Sequence, residues 1–315
     1  MELNTKKKKT SYLWTELFRP QKVADIVMPA QYKKAFNKYI KEGQIPNLLL
    51  YSSKPGVGKT SLAKALVNEL EADYLYINAS KTSGIDLLRD RITKFASSKS
   101  FNGKPKVVIM DEADGTSPAL QQGLRAFTEE FARVCRFIFT CNYVTKIIEP
   151  LKSRLHEYDM NYSTTKDKKE MMPKIKKRII GILKLKKIEY KEDVIEKLIV
   201  TSYPDIRKVI QLCHKYSDLY GVIDNDIFGY ETVDKEFYEH VIQKNFGKAR
   251  KYVLDKAYDY DELYSKMYRE YVPLLDTIQQ GQAILIIAEW AKSNAWMADK
   301  ELNFAGMLIE LMQMG

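Results

Sequence analysis

Cysteine, histidine and long apolar runs are all scarce in this 315-residue chain. Only Cys135, Cys141 and Cys213 occur, with no CxxC pair among them, so neither a disulfide framework nor a thiolate zinc cage is expected and the composition fits a reducing compartment. His156, His214 and His240 lie far apart, and no carboxylate or thiol spacing gathers them into a metal cage. The most apolar stretch, Ala283 to Ala288, falls well short of the roughly 20 residues a membrane-spanning helix requires. The run Lys6-Lys-Lys-Lys9 has no apolar segment behind it, which argues against a secretory signal. It reads as a solvated tail, with a localisation signal or a DNA-binding arm as the alternative. Internal repeats and low-complexity linkers are also missing.

What is present supports a folded protein. Hydrophobic residues make up 45% and charged residues 29%, enough for a sizeable core and, at this length, two or three domains. Lys plus Arg number 51 against 41 Asp plus Glu, and the resulting +10 is compatible with an anionic partner such as nucleic acid.

Between Pro46 and Met160 short β-like runs alternate with helical patterns. The runs are Asn47-Leu-Leu-Leu-Tyr51, Tyr74-Leu-Tyr-Ile77, Val107-Val-Ile-Met110 and Phe137-Ile-Phe-Thr140. Such alternation predicts an α/β domain with a mostly parallel sheet covered by helices. A helix over 85–95 would set Ile85, Leu88, Ile92 and Phe95 on one stripe, and Thr116 or Ser117 before Pro118 looks like a cap followed by a first-turn proline. Strand signals fade after about Asp159, and two or three helices are expected up to about Gly229. Lys166 to Lys191 carries eleven basic against three acidic residues, either a solvated face or a contact for an anionic partner. From Tyr230 onward the pattern is helical and rich in Tyr, Met, Leu and Ile, so it should pack against its own chain or neighbouring subunits.

The chemistry concentrates in two places. Ser53-Lys-Pro-Gly-Val-Gly-Lys-Thr60 follows the first predicted strand and opens a helix at Ser61. This is the spacing of a P-loop, whose backbone N–H groups and helix N-terminus cradle phosphates. Pro55, Gly56, Val57, Gly58, Lys59, Thr60 and Ser61 would line the nucleotide, with Lys59 reaching the β and γ phosphates and the Thr60 hydroxyl meeting Mg²⁺. The usual first glycine is replaced by Ser53. The second place is Val107-Val-Ile-Met-Asp111-Glu112-Ala-Asp114, an apolar strand ending in acids. It would set Asp111 at the sheet edge to hold Mg²⁺ and Glu112 near the attacking water. Asn142, just after the fourth strand, is a candidate to orient that water.

Leu13-Trp-Thr-Glu-Leu-Phe-Arg-Pro20, the P-loop, Ile77-Asn-Ala-Ser80, Asp111-Glu-Ala-Asp114, Thr140-Cys-Asn-Tyr143, Lys146-Ile-Ile-Glu-Pro150, Ser153-Arg154 and Pro204-Asp-Ile-Arg207 follow one another along the chain. In that order they resemble the sliding-clamp-loader ATPases, both the replication factor C small subunits and, by compact length, the large subunit of the tailed-bacteriophage clamp loader. The resemblance covers residues 13 to 210 by motif, and the remainder by length and helical character only. It implies an AAA+ RecA-like parallel-sheet domain over 1–158, a small helical lid over 159–229 and an all-helical collar for oligomerisation over 230–315. Thr15, Glu16, Leu17, Phe18, Arg19 and Pro20, with Val27, match the segment around the adenine. Asn142 matches sensor 1 and Arg207 sensor 2. Arg154 matches the arginine finger that acts on a neighbouring subunit's nucleotide, although Leu155 stands where the family's motif has cysteine.

The resemblance further implies ATP and Mg²⁺ as cofactors and cytoplasmic hydrolysis stimulated by DNA and clamp, the cytoplasm of an infected bacterium included. Implied partners are a sliding clamp, a clamp-loader small subunit, other copies of the chain in a hetero-pentamer, and primer-template DNA. Lys81, Thr82, Ser83 and Gly84 before one helix, Arg89 within it and Ser117 at the start of another are candidate contacts to the DNA backbone. Simple capping of surface helices is the alternative for each. Other readings are an AAA+ initiator or helicase loader, a helicase suggested by Asp111-Glu-Ala-Asp114, and a non-hydrolysing scaffold subunit. One P-loop followed by helices disfavours the helicase, Ser153-Arg154 and Glu149-Pro150 the initiator, and retention of Lys59, Glu112 and Asn142 the scaffold.

Overall fold

The computed structural model describes residues 12–81, 84–98, 103–228, 235–256 and 258–314. Residues 1–225 and 226–315 form two compact units.

The first unit is built on five parallel strands: β1 (Leu48–Tyr51), β2 (Asp73–Asn78), β3 (Lys106–Asp111), β4 (Cys135–Cys141) and β5 (His156–Asp159), in the order β2-β3-β4-β1-β5. The central strands are apolar because helices cover both faces, and all six residues of β3 are buried. The four predicted runs are therefore strands, each within two residues of its expected limits. The fifth strand was not anticipated. His-Glu-Tyr-Asp carries no apolar run, since β5 lies at the sheet edge and pairs only with β1.

Short helix α1 (Trp14–Leu17) and helix α2 (Ala30–Glu42) precede the sheet. Helices α3 (Lys59–Glu69), α4 (Ile85–Ser97) and α5 (Pro118–Glu130) connect its first four strands. Leu62, Ala63, Ala65, Leu66 and Val67 bury the inner face of α3, and Leu88 and Ile92 that of α4. Ser117 caps α5, its hydroxyl accepting from Leu120 N–H at 3.3 Å with Pro118 in the first turn. The four-residue α6 (Glu149–Lys152) precedes β5.

Three helices then follow: α7 (Thr165–Lys186), α8 (Glu192–Ser202) and α9 (Ile206–Tyr220). Ile175, Ile179, Ile182 and Leu183 form the buried stripe of α7. The sequence reading also missed the two-residue strands β6 (Glu189–Tyr190) and β7 (Val222–Ile223), which pair in parallel and are too short to leave a periodic signal. Part of the basic run is engaged within the chain. Lys176 reaches Glu192 and Glu196, Lys174 bonds Glu170, and Lys186 lies over the Trp14 and Phe18 rings.

The second unit is helical: α10 (Lys235–Ile242), α11 (Phe246–Lys256), α12 (Tyr260–Lys266), α13 (Thr277–Asn294) and α14 (Lys300–Gln313). Its core gathers Phe237, Met267, Phe304 and Met307. Gly306 lets α14 meet the Trp290 indole of α13, where a Cβ would come within 2.3 Å of the ring. No helix among the described residues is long and apolar enough to cross a membrane.

Candidate nucleotide site

The P-loop runs from β1 into α3 on the edge of the sheet where the strands end, beside the point at which strand order reverses around β1. Ser53, the departure from the expected glycine, has a structural role. Its N–H and hydroxyl both donate to Asn161 Oδ1 at 3.0 Å, and the Ser52 hydroxyl reaches the same oxygen at 3.1 Å. Asn161 is itself held by Asp159. The segment after β5 thus anchors the start of the loop, which a glycine could do only through its N–H. Gly56 and Gly58 have φ of +68° and +101°, conformations that side chains resist. At Gly56 space is closed as well, since a Cβ would fall 1.6 Å from Asp205 Oδ1 and 3.1 Å from Arg207 Cβ. Gly56 is therefore where the loop and the start of α9 touch. The Lys59 ammonium donates to the carbonyls of Ser52 and Lys54 at 3.1 and 3.2 Å, and burial pushes its pKa below the ordinary lysine value.

At the ends of β3 and β4 the acids are fixed by neighbours. Asp111 Oδ1 accepts from the Thr60 hydroxyl at 2.8 Å and from that of Thr140 at 2.5 Å, while Tyr76 donates to Oδ2 at 2.6 Å. Glu112 breaks the strand at φ 58° and ψ 44°, so two successive carboxylates line one cleft. Its side chain accepts from Ser80 Oγ at 2.7 Å and Asn78 Nδ2 at 3.3 Å. Asp114 takes the backbone N–H groups of Asn142 and Tyr143 at 3.1 and 3.0 Å and so sets the turn that presents Asn142. Lys59, Thr60, Asp111, Glu112, Asn142 and Arg207 surround a cleft of about 110 Å³, within reach of the loop from Pro55 to Ser61.

Adjoining it is a larger cavity of about 310 Å³, walled by Val57 and Gly58 of the loop, by Ile206 and Ile210 of α9, and by the N-terminal segment. Of the residues matched to the adenine segment, Thr15, Glu16, Phe18, Arg19, Pro20 and Val27 line it. Leu17 does not: it is 40% exposed, on the other side of the α1 turn. The segment is held from three sides. Trp14 stacks on His214 of α9 at 4.8 Å, Val23 N–H donates to Glu69 of α3 at 2.5 Å, and Arg178 of α7 donates to the carbonyls of Asp25 and Phe18 at 3.0 and 2.5 Å. Burial lowers the Arg178 pKa.

Sequence reasoning did not assign Arg178, Asn161, Tyr76, Thr140, Asn78 or Ser80 to this site. For Asn78 and Ser80 a signal existed, two polar residues ending an apolar strand in the order of the family motifs. Arg178 was hidden among ten other basic residues of its stretch.

Other expected residues lie elsewhere. Arg154, between α6 and β5, is ion-paired with Glu129 of α5, donates to the Pro150 carbonyl at 2.6 Å, and does not line either cavity of its own chain. Gly84 precedes α4 with φ +104°, Arg89 is exposed on that helix, and Ser117 is exposed at the start of α5 with its hydroxyl used as the cap. The Lys81 backbone ends a short 3₁₀ turn, its side chain lies outside the described atoms, and Thr82 and Ser83 lie outside the described residues.

Residues 48–161 match the family model of the ATPase family associated with various cellular activities. Across 314 residues the chain is 33% identical to the sliding-clamp-loader large subunit of Escherichia phage RB69, with 95% of each chain covered. The chain belongs to the sliding-clamp-loader ATPases. A replication factor C small subunit of Sulfurisphaera tokodaii is 32% identical over 275 residues, covering 82% of this clamp-loader chain and 81% of that protein. Among solved structures the Thermotoga maritima RuvB Holliday junction branch migration motor superposes with a TM-score of 0.55 at 18% identity, over 81% of this chain and 90% of that one. At that identity the likeness is one of fold. This clamp-loader subunit is therefore a nucleotide-binding AAA+ ATPase.

Proposed function

We propose that this subunit uses ATP to open a sliding clamp and place it on primer-template DNA, working in the cytoplasm as part of a hetero-pentamer with a small subunit and further copies of itself. What carries the reading is the convergence of Lys59, Thr60, Asp111, Glu112, Asn142 and Arg207 on one cleft beside the cavity walled by Thr15, Glu16, Phe18, Arg19 and Pro20. Hard oxygen donors suit a magnesium ion, and the Thr60 hydroxyl and Asp111 carboxylate, 2.8 Å apart, form such a pair at the phosphate end. Bound there, Mg²⁺ supplies charge neutralisation on the phosphates.

The chain's own residues do the rest. Lys59 and the loop N–H groups hold the phosphates, and the αL turn at Glu112 aims a carboxylate, steadied by Asn78 and Ser80, at the attacking water. Asn142 orients that water, and Arg207 brings a guanidinium from α9 to the γ-phosphate. Arg154 lines neither cavity of its own chain and is assigned to a neighbour's nucleotide, where it would stabilise charge on the transferring phosphoryl group. In this reading residues 1–158, 159–229 and 230–315 act as nucleotide domain, lid and collar. Duplex backbone is met by Lys81 to Gly84, Arg89 and Ser117, through charge and helix N-termini without base readout.

The test is Arg154→Ala in the assembled complex with clamp and DNA. ATP binding should stay within about twofold and stimulated hydrolysis should fall by roughly 10³-fold or more. Full stimulated hydrolysis would remove the finger assignment, and a chain that stays monomeric with small subunit, clamp and ATP analogue would remove the shared-site mechanism.

A further inference from the structure

Strand β2 presents two side chains of one face, Tyr76 and Asn78, to the two successive acids at the end of β3: Tyr76 to Asp111 and Asn78 to Glu112. We propose that Tyr76 is a positioning residue for the metal-binding carboxylate, fixing the plane of Asp111 by holding the one oxygen the threonines leave. The inference rests on the assignment of Asp111 to Mg²⁺ in the proposed function.

The hydrogen-bond accounting supports it. Asp111 is 6% exposed, and a carboxylate so enclosed needs donors on both oxygens. Oδ1 receives the two hydroxyls of Thr60 and Thr140, which together act as a pivot. Oδ2 receives the phenol of Tyr76, the one described donor on that side, and without it the carboxylate is free to turn about the pivot. The phenol is itself steadied, with the Lys64 ammonium 4.8 Å above its ring. A hydroxyl that donates to Asp111, as Thr60 does, keeps its own lone pairs for a cation. A fixed carboxylate plane and a fixed Thr60 rotamer therefore define one direction of approach for a metal. Outer partners of this kind are worth roughly 10- to 100-fold in metal affinity.

Tyr76→Phe keeps the ring and the Lys64 contact and deletes only the donor. The assay is equilibrium titration of the full chain with a fluorescent, non-hydrolysable ATP analogue, in EDTA and across a Mg²⁺ series. Affinity in EDTA should stay within about twofold of the unaltered protein, and the half-saturating Mg²⁺ concentration should rise about tenfold or more. Thr140→Val, which removes a donor from the other oxygen, should move it in the same direction and serves if Tyr76→Phe does not fold. A folded Tyr76→Phe with unchanged Mg²⁺ dependence, even with a lower melting temperature, would overturn the inference and leave a purely structural tyrosine. If the unaltered protein shows no Mg²⁺ dependence, or Asp111→Asn retains it, the metal assignment itself fails, a result distinct from the first.

Discussion

The P-loop abuts the start of helix α9 at Gly56, and adding one methyl group there should be costly for two separable reasons. The first is conformational: at φ +68° a Cβ meets its own backbone, a penalty of about 1–2 kcal/mol. The second is steric. The new Cβ would lie 1.6 Å from Asp205 Oδ1 and 2.4 Å from its Cγ, so the carboxylate must retreat by roughly 2 Å to reach ordinary contact distance. Asp205 is the N-cap of α9, accepting from Lys208 N–H at 2.9 Å, and a cap of this kind contributes about 1 kcal/mol. Gly56→Ala should therefore cost about 2–3 kcal/mol, a fall of roughly 4–12 °C in the melting transition of the 225-residue unit by calorimetry on the nucleotide-free full chain. In an Asp205→Ala background the clash with the carboxylate is gone and only the tight approach to Arg207 Cβ at 3.1 Å remains, so the same change should cost about 1 kcal/mol less, the signature of coupled neighbours. Gly58→Ala is the control, because its nearest neighbour, Ile26 Cγ2, is at an ordinary 3.8 Å and no coupling to Asp205 should appear. An equal loss from Gly56→Ala in both backgrounds would refute the contact as the source.

Two further outcomes follow from the site. Burial lowers the Lys59 pKa from 10.5, so between the two values the unfolded chain binds more protons and the stability of the nucleotide-free protein rises with pH. Phosphate favours the protonated ammonium, so nucleotide affinity should run the other way and fall as pH rises through the lowered pKa; an affinity flat up to pH 10.5 in a pH-series titration would contradict this. Arg178→Ala strands the part-buried carbonyl of Phe18, which lines the larger cavity, at about 1–3 kcal/mol for an unsatisfied group, and should weaken nucleotide binding about tenfold. Unchanged affinity would show that the N-terminal segment keeps its shape without this brace.

The strands were legible because each central one is covered on both faces and must be apolar along its middle, as Val107 to Met110 of the wholly buried β3 are. The P-loop and Asp111-Glu112 were legible because phosphate cradling and carboxylate placement need fixed residue types at fixed local spacing, and sequence displays local spacing directly. Edge strand β5 was not, because its faces are largely exposed and impose no apolar pattern. The partners of the acids were not, because Tyr76 and Thr140 meet Asp111 only through the lateral order β2-β3-β4, across 35 and 29 residues of chain. Asn161 behind Ser53, Asp205 against Gly56 and Arg178 beside the larger cavity are contacts of the same kind, made when distant segments fold onto one another. The sequence alone determined the alternation of elements, the P-loop and the acidic strand end, since each depends on neighbours along the chain. Only the tertiary structure decided which side chains hold those groups in position, because a hydrogen bond or steric contact depends on distance in space, which linear spacing does not specify.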